Sequence, residues 1–176
     1  MKIAIIGYSG SGKSTLAKRL GELYGASVLH LDTVHFLPKW EERTNEDECK
    51  IVTEFLDANE SWVIDGSYSK IVYERRMQEA DKIILLLFNR FICFHRVVKR
   101  YKTYKGKSRE SIAQGCEEKL DFAFAKWVIW DGRLKKRRKK FERVLQKFPD
   151  KTVVCKNQRQ VDKLLAKWQE EFKKTP

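Results

Sequence analysis

The sequence predicts an α/β fold, a three-layer sandwich whose middle layer is a five-stranded parallel sheet. Three observations carry this. Short apolar runs alternate with longer amphipathic stretches, the first run leads straight into a glycine-rich loop that opens a helix, and no internal repeat or low-complexity linker interrupts the 176 residues. Strands separated by helices pair in parallel through right-handed crossovers. The length suits one domain, residues 1–176, and is short for two.

Each element has a local reason. Lys2-Ile3-Ala4-Ile5-Ile6 is apolar and β-branched, the pattern of a buried parallel strand. From Thr15 to Tyr24, apolar positions 16, 17, 20, 23 and 24 mark one helix face. Residues 26–31 form a second strand ending at Asp32. A helix is expected over about 45–59, with Asn45 as N-cap and Ile51, Val52, Phe55 and Leu56 inward. Trp62-Val63-Ile64 is a third strand closed by Asp65-Gly66, and a short helix over 73–79 leads to the most hydrophobic strand, 83–88. A helix over 90–104, a polar stretch over 105–115 and two further helical segments precede strand 152–155 and a closing helix over 160–172. The basic stretch 105–140 reads as a helical lid, and about 33–60 as the acceptor-side segment.

Between the first strand and first helix stands Gly7-Tyr8-Ser9-Gly10-Ser11-Gly12-Lys13-Ser14, the pattern G-x-x-x-x-G-K-[ST]. Glycines let the backbone wrap a phosphate with its N–H groups turned inward, toward the positive end of the helix dipole. Lys13 then reaches the outer phosphates and Ser14 ligates magnesium. The flanking strand and helix put the motif where this chemistry needs it, so ATP and Mg²⁺ are the expected cofactors.

Composition narrows the class. Hydrophobic residues make up 42%, and no run approaches the roughly 18 apolar residues of a membrane span. Strand one begins almost at the N-terminus, so no leader peptide is expected. Cys49, Cys93, Cys116 and Cys155 are scattered without a C-x-x-C pair, which fits reduced thiols in the cytoplasm better than a disulfide framework or zinc site. His30, His35 and His95 lack metal-ligand spacing. The net charge is +13, and residues 90–147 carry all of it, with 19 Lys or Arg against 6 Asp or Glu. Such a block attracts polyanions: nucleotide phosphates, nucleic acid or acidic lipids. It is also what a solvated helix surface looks like, above all at Lys135-Lys136-Arg137-Arg138-Lys139-Lys140.

Open parallel sheets bind ligands beyond the carboxyl ends of their strands. Asp65, after strand three, is placed to hold magnesium, or is a turn aspartate before glycine. Asp32 orients or deprotonates an acceptor hydroxyl, or caps the next segment. Arg96 and Arg100, four apart on one helix, project from one face near the loop. Phosphoryl transfer needs positioned positive charge and exclusion of water, which a closing lid with arginines supplies. Arg109, Arg133, Arg137 and Arg138 are the lid candidates, in that order.

The order of these pieces resembles the adenylate-kinase-like branch of P-loop kinases: the glycine-rich loop, Asp65-Gly66, Ala80-Asp81 before strand four, and the Arg96-x-x-x-Arg100 helix. Along its length the chain is also similar to bacterial DNA topology modulation proteins of the FlaR type. That likeness rests on His30-Leu31-Asp32, on Trp62 to Tyr68, and on Gly115-Cys116-Glu117-Glu118-Lys119 with Trp127 and Trp130. The resemblance implies a P-loop NTPase fold of nucleoside-monophosphate-kinase type. It implies phosphate and magnesium contacts from Gly10, Gly12, Lys13, Ser14 and Thr15, with Gly7, Ser9 and Ser11 in the same loop, and Arg96 and Arg100 at the nucleotide end of the lid hinge. It also implies an adenine contact from Asn157.

One departure stands out. Adenylate kinases continue Asp-Gly with Phe-Pro-Arg, whose arginine holds the acceptor monophosphate; here Ser67-Tyr68 follows, and Arg43, Arg75 and Arg76 are the substitutes on offer. The segment Thr33 to Trp40 is aromatic, either a base-stacking wall or core. The expected activity is transfer of the ATP γ-phosphoryl group to a small acceptor, a nucleotide among the candidates. The rival is a nucleic-acid-binding regulator that uses ATP as a switch and grips phosphates through the basic 90–147 segment. A third reading is ATP binding without efficient chemistry.

Overall fold

The computed structural model describes residues 1–174. Strands β1 (Lys2–Gly7), β2 (Ser27–His30), β3 (Trp62–Asp65), β4 (Lys82–Leu86) and β5 (Thr152–Cys155) form one parallel sheet in the order β2-β3-β1-β4-β5. β1 therefore lies between β3 and β4. The chain leaves it toward one edge and returns to build the other, which opens a crevice at its carboxyl end.

Among the described residues eight helices surround the sheet: α1 (Lys13–Tyr24), α2 (Leu31–His35), α3 (Asn45–Ala58), α4 (Tyr73–Glu79), α5 (Arg90–Tyr104), α6 (Phe122–Ile129), α7 (Lys135–Lys147) and α8 (Gln158–Lys174). Alternation along β1 sorts its side chains to two faces. Ile3 and Ile5 meet Leu16 and Leu20 of α1, Val97 of α5, Val128 of α6 and Leu165 of α8. Ala4 and Ile6 meet Val34 of α2, Val52 and Leu56 of α3, Met77 of α4 and Val144 of α7. Each buried Leu, Ile or Val contributes about 1.5–3 kcal/mol, so the two apolar layers fix the sheet against both helix layers. The result is the expected three-layer α/β P-loop NTPase fold.

Several boundaries differ from expectation by a residue or two, three of them as follows. β2 stops at His30, and Leu31 with Asp32 begins the short α2. Leu31 and Val34, three apart, are buried together, and the Thr33 hydroxyl donates to the His30 carbonyl at 2.7 Å, which favours a turn of helix over a longer strand. The N-cap of α3 is Thr44, not Asn45: its hydroxyl accepts from the Asp47 N–H at 3.2 Å. β4 ends at Leu86, although the Leu87 N–H still donates to Cys155 at 2.9 Å. Within the basic stretch, α6 and α7 put Val128, Phe141 and Val144 into the core. Residues 105–121 carry no helix. All four cysteines are free thiols.

Candidate active site

The loop after β1 is shaped by two close approaches. Gly7 has φ +151, and a Cβ there would meet the Leu86 carbonyl oxygen at 2.3 Å; one at Gly10 (φ +74) would meet the Cys93 carbonyl oxygen at 2.5 Å. Only glycine lets the loop press against β4 and α5. Ser67, directly after Asp65-Gly66, fastens the loop from the side, its hydroxyl accepting from the Gly7 N–H and donating to the Gly7 carbonyl, both at 3.0 Å. From α5, Arg96 donates to the Ser11 carbonyl at 3.0 Å and to the Gln158 side chain at 2.8 Å, spanning from the loop to α8. Lys13 lies back over the loop and donates to the Tyr8 carbonyl at 3.1 Å. Burial lowers its pKa, and Asp32 and Asp65 oppose that shift.

Ser14 donates to one oxygen of Asp65 at 2.9 Å, and the other oxygen of this buried carboxylate pairs with His30 Nδ1. His30 and Asp65 are register partners on β2 and β3. A hydroxyl and a carboxylate oxygen in contact at the mouth of the loop are hard oxygen donors, the type magnesium prefers. Among the described residues no group of three or more His, Cys, Asp or Glu is placed to hold a metal.

Two adjoining cavities open around the loop. One, of about 330 Å³, is lined by residues 9–15 together with Arg19, Arg96, Gln158 and Val161. The other, of about 780 Å³, runs between the loop and α2, past His35, Phe36, Trp40 and Tyr68. Both share Ser9, Lys13, Asp32, Arg100 and Arg109. At this junction Glu118, its side chain only 2% exposed, accepts from Arg100 at 2.6 Å and from Arg109 at 2.9 Å. One carboxylate thus aims two guanidiniums. Burial lowers the Arg100 pKa, the neighbouring Arg109 adds to the shift, and Glu118 opposes it.

Residues 105–121, which carry Arg109 and Glu118, cross to the segment after α2. The Lys39 N–H donates to Gly115 at 3.2 Å, Trp40 Nε1 to the Glu117 carbonyl at 3.1 Å, and the Cys116 thiol to Leu37 at 3.1 Å. Asp32 accepts from the Tyr68 hydroxyl at 2.8 Å, and burial followed by the nearby Asp32 charge pushes the Tyr68 pKa upward.

Residues predicted from sequence thus divide. Lys13, Asp32, Arg96, Arg100, Arg109 and the loop gather around the cavities, with Asp65 behind Ser14. Arg137 lines the larger cavity, stacked on Trp127 at 4.0 Å. Arg133 lines neither: it donates to the Phe88 and Val128 carbonyls and sits over the Tyr8 ring at 4.0 Å, bracing the loop from behind. Arg138 is exposed and lines neither. Asn157 is spent on the start of α8, where its side chain accepts from the Gln160 N–H at 3.0 Å; Gln158 and Val161 line the cavity in its place.

None of the three substitute arginines reaches a cavity. Arg76 is fully buried, donates to the Ile71 and Tyr68 carbonyls, and has its pKa pushed down to about 10 by burial. Arg75 pairs with Asp57 and Glu79, and Arg43 donates to Val34. Sequence reasoning missed Ser67, Tyr68, His30, Arg19 and Gln158, which become part of the site only through strand register and loop packing. Glu118 left a signal, as one of only 6 acidic residues in the basic 90–147 block.

A parallel sheet with a glycine-rich loop after its first strand and helices on both faces defines a P-loop NTPase fold. More particularly, a model of the AAA domain family matches residues 3–115, and the chain belongs to that family. No curated protein sequence matches it. Among solved structures it is similar to a shikimate kinase from Acinetobacter baumannii in complex with shikimate (TM-score 0.59, 17% identity, 99% of this chain and 95% of that one). It is also similar to a gluconokinase from Sinorhizobium meliloti 1021 (TM-score 0.50, 18% identity, 98% and 95%). A deoxyadenosine kinase from M. mycoides with the products dCMP and dCDP matches as well (TM-score 0.50, 14% identity, 97% and 100%). At these identities the likeness is one of fold. Among the described residues no helix is long and apolar enough to cross a membrane.

Proposed function

We propose that the protein is an ATP-dependent phosphotransferase that moves the γ-phosphoryl group of ATP to a hydroxyl of a small acceptor. The observation that carries this reading is the junction of the two cavities, where Lys13, Arg100 and Arg109 gather with Asp32, the one carboxylate among the described residues that lines both. Positive charge on three sides suits the charge spread over a transferring phosphoryl group, and such positioning is most of what this chemistry asks of a protein. Loop amides and Lys13 hold the phosphates. Arg96 and Gln158 flank the nucleotide end. Tyr68 occupies one oxygen of Asp32 and leaves the other for the acceptor hydroxyl. The acceptor oxygen bonds to the γ-phosphorus as the β–γ bridging bond breaks; its proton passes to Asp32 and ADP leaves. Ser14 and Asp65 would hold magnesium, which supplies charge neutralisation on the phosphates. Residues 105–121 act as the water-excluding lid, and the free thiols suit a cytoplasmic setting.

Three kinases of small hydroxyl-bearing substrates among the similar folds support the class of reaction. A second reading, an ATP-switched nucleic-acid-binding regulator of the DNA topology modulation type, draws on the exposed Lys135, Lys136, Arg138 and Lys139 of α7. The test is incubation of the protein with Mg-ATP and a panel of alcohols, nucleosides and nucleotides, following ADP release and the mass of the product. Acceptor-dependent ADP formation abolished in Lys13→Ala is the expected result. ADP formation that no acceptor stimulates would count against the reading.

A further inference from the structure

The larger cavity has a wall of a different character from the rest of the site. His35 and Phe36 meet with ring centroids 4.5 Å apart, Phe36 and Trp40 at 5.1 Å, and His35 and Tyr68 at 4.6 Å. All four line the cavity. Edge-to-face and tilted contacts of this kind hold rings rigidly and leave faces on which a flat partner stacks. Lys39 (φ +63) and Trp40 (φ +68) are consecutive left-handed residues, a conformation that costs non-glycine residues about 1–2 kcal/mol each. Their hydrogen bonds to Gly115 and Glu117 hold it, and it is what points the Trp40 indole at the cavity. Backbone strain retained at a cavity wall is characteristic of functional positions.

The carboxylates beside this wall accept hydrogen bonds. Glu48 is buried, with one oxygen 2.5 Å from His35 Nδ1 and the other accepting from Asn45 at 3.2 Å. Glu42 lies 3.6 Å from His35 Nε2 with most of its side chain exposed. The cations of the cavity are already partnered: Lys140 with Ser69 at 2.9 Å, Lys119 over Trp40, Arg137 over Trp127, and Arg100 with Arg109 on Glu118. Lys70 is exposed. Of the arginines, Arg43, Arg75 and Arg76 do not line this cavity, and Arg100, Arg109 and Arg137, which do, are engaged with Glu118 and Trp127. Tyr68 also fixes a distance, since its ring belongs to the wall and its hydroxyl sits on Asp32. A flat ring on the wall and a hydroxyl at Asp32 are therefore one phenol apart.

Resting on the phosphotransferase reading above, we infer that the wall holds an unphosphorylated alcohol carrying a flat ring with N–H donors, the chemistry of a nucleoside, whose hydroxyl meets Asp32. The transfer balances as written above, with ADP and the phosphorylated alcohol as products. The test has two arms. In the first, calorimetry measures binding of adenosine, guanosine and cytidine, their 5′-monophosphates and a hydroxy-carboxylate such as gluconate to protein saturated with a non-hydrolysable ATP analogue. In the second, ADP release is followed with ATP and the same compounds.

At least one nucleoside is expected to bind about tenfold or more tightly than the hydroxy-carboxylate, which lacks the N–H groups the wall would hydrogen-bond, and than its monophosphate, whose added charge would meet Asp32, Glu42 and Glu48. Glu48→Gln, close in size, should weaken nucleoside binding about tenfold and leave affinity for the analogue within about twofold. Tighter binding of a monophosphate or the hydroxy-carboxylate, or no nucleoside binding, overturns the inference, and these wild-type measurements do not depend on the variant folding. Transfer to a monophosphate would sink the inference and keep the kinase reading. Nucleoside binding without ADP formation would support the wall's ligand class and sink the kinase reading.

Discussion

Two ends of one site are built by opposite means. At the smaller cavity, where the proposed function puts the nucleotide, consecutive residues 9–15 form the lining, and most of what they offer is backbone N–H, loop shape and a helix terminus. At the larger cavity, where the proposed function puts the acceptor, the lining comes from stretches as far apart as Asp32, Trp40, Tyr68, Glu118 and Phe141, and what they offer is side chains. A backbone cradle tolerates change at most positions and recognises phosphate whatever it is attached to. A side-chain wall can be rewritten residue by residue without disturbing the cradle. Between the ends stands Glu118, aiming Arg100 and Arg109 at the point both cavities share.

The comparison breaks most easily at Lys13, the cation of the loop and the side chain of which the proposed transfer asks most at the nucleotide end. Lys13→Ala should lower turnover about 10²–10³-fold or more with the circular dichroism spectrum unchanged. A folded variant with wild-type turnover would remove the loop from the mechanism. Arg100→Ala, acting at the junction, should cost about 10²-fold in kcat and comparatively little in nucleotide affinity. The companion change Glu118→Ala leaves two guanidiniums without their carboxylate. It should lower stability by about 2 kcal/mol, less than for a fully enclosed pair because both arginines reach the cavity. A denaturant titration reads this, and an unchanged midpoint would mean that Glu118 does not hold the arginines.

Asp65→Asn sharpens the nucleotide end further. Affinity for Mg-ATP should drop about tenfold, in the range seen when groups that hold or orient a metal are changed, while affinity for ATP in the presence of a chelator stays put. Equal losses under both conditions would make Asp65 a structural partner of His30 and Ser14 only.

pH separates the cradle from its contents. Because burial lowers the Lys13 pKa below 10.5, the unfolded chain binds more protons than the folded one between the lowered value and 10.5. Stability of the unliganded protein should therefore rise with pH through that window from this group. Nucleotide affinity, which needs the ammonium, should fall through the same window. Melting curves with and without ADP across alkaline pH test both, and Lys13→Met should abolish the opposed trends.

The smallest effect is expected from the exposed basic face. Lys140 does not belong with its neighbours, since it binds Ser69 and lines the larger cavity. Changing Lys135, Lys136 and Lys139 to Gln should move turnover less than about threefold. Should the same triple variant instead lose tight duplex-DNA binding whose salt dependence follows a log–log slope near −0.9 per phosphate contact, the nucleic-acid reading would gain the ground.

The sequence by itself determined the parts whose physics is local. Alternating apolar runs set the strands, helical periodicity set the inner faces of α1 and α3, and one eight-residue motif fixed the cradle, because glycine geometry and a helix terminus need only neighbours in the chain. Where a side chain's partner lies far away in sequence, the chain was silent. His30 meets Asp65 through strand register, Tyr68 meets Asp32 across 36 positions, and Glu118 finds Arg100 only once residues 105–121 fold over α5. Arg43, Arg75 and Arg76 read equally well as acceptor ligands until burial and nearby carbonyls and carboxylates claimed them. Asn157 likewise turned to its own helix. Residue type and spacing say what a side chain can do. Which of its options it takes is decided by the partner that tertiary packing brings within about 3 Å, the reach of a hydrogen bond.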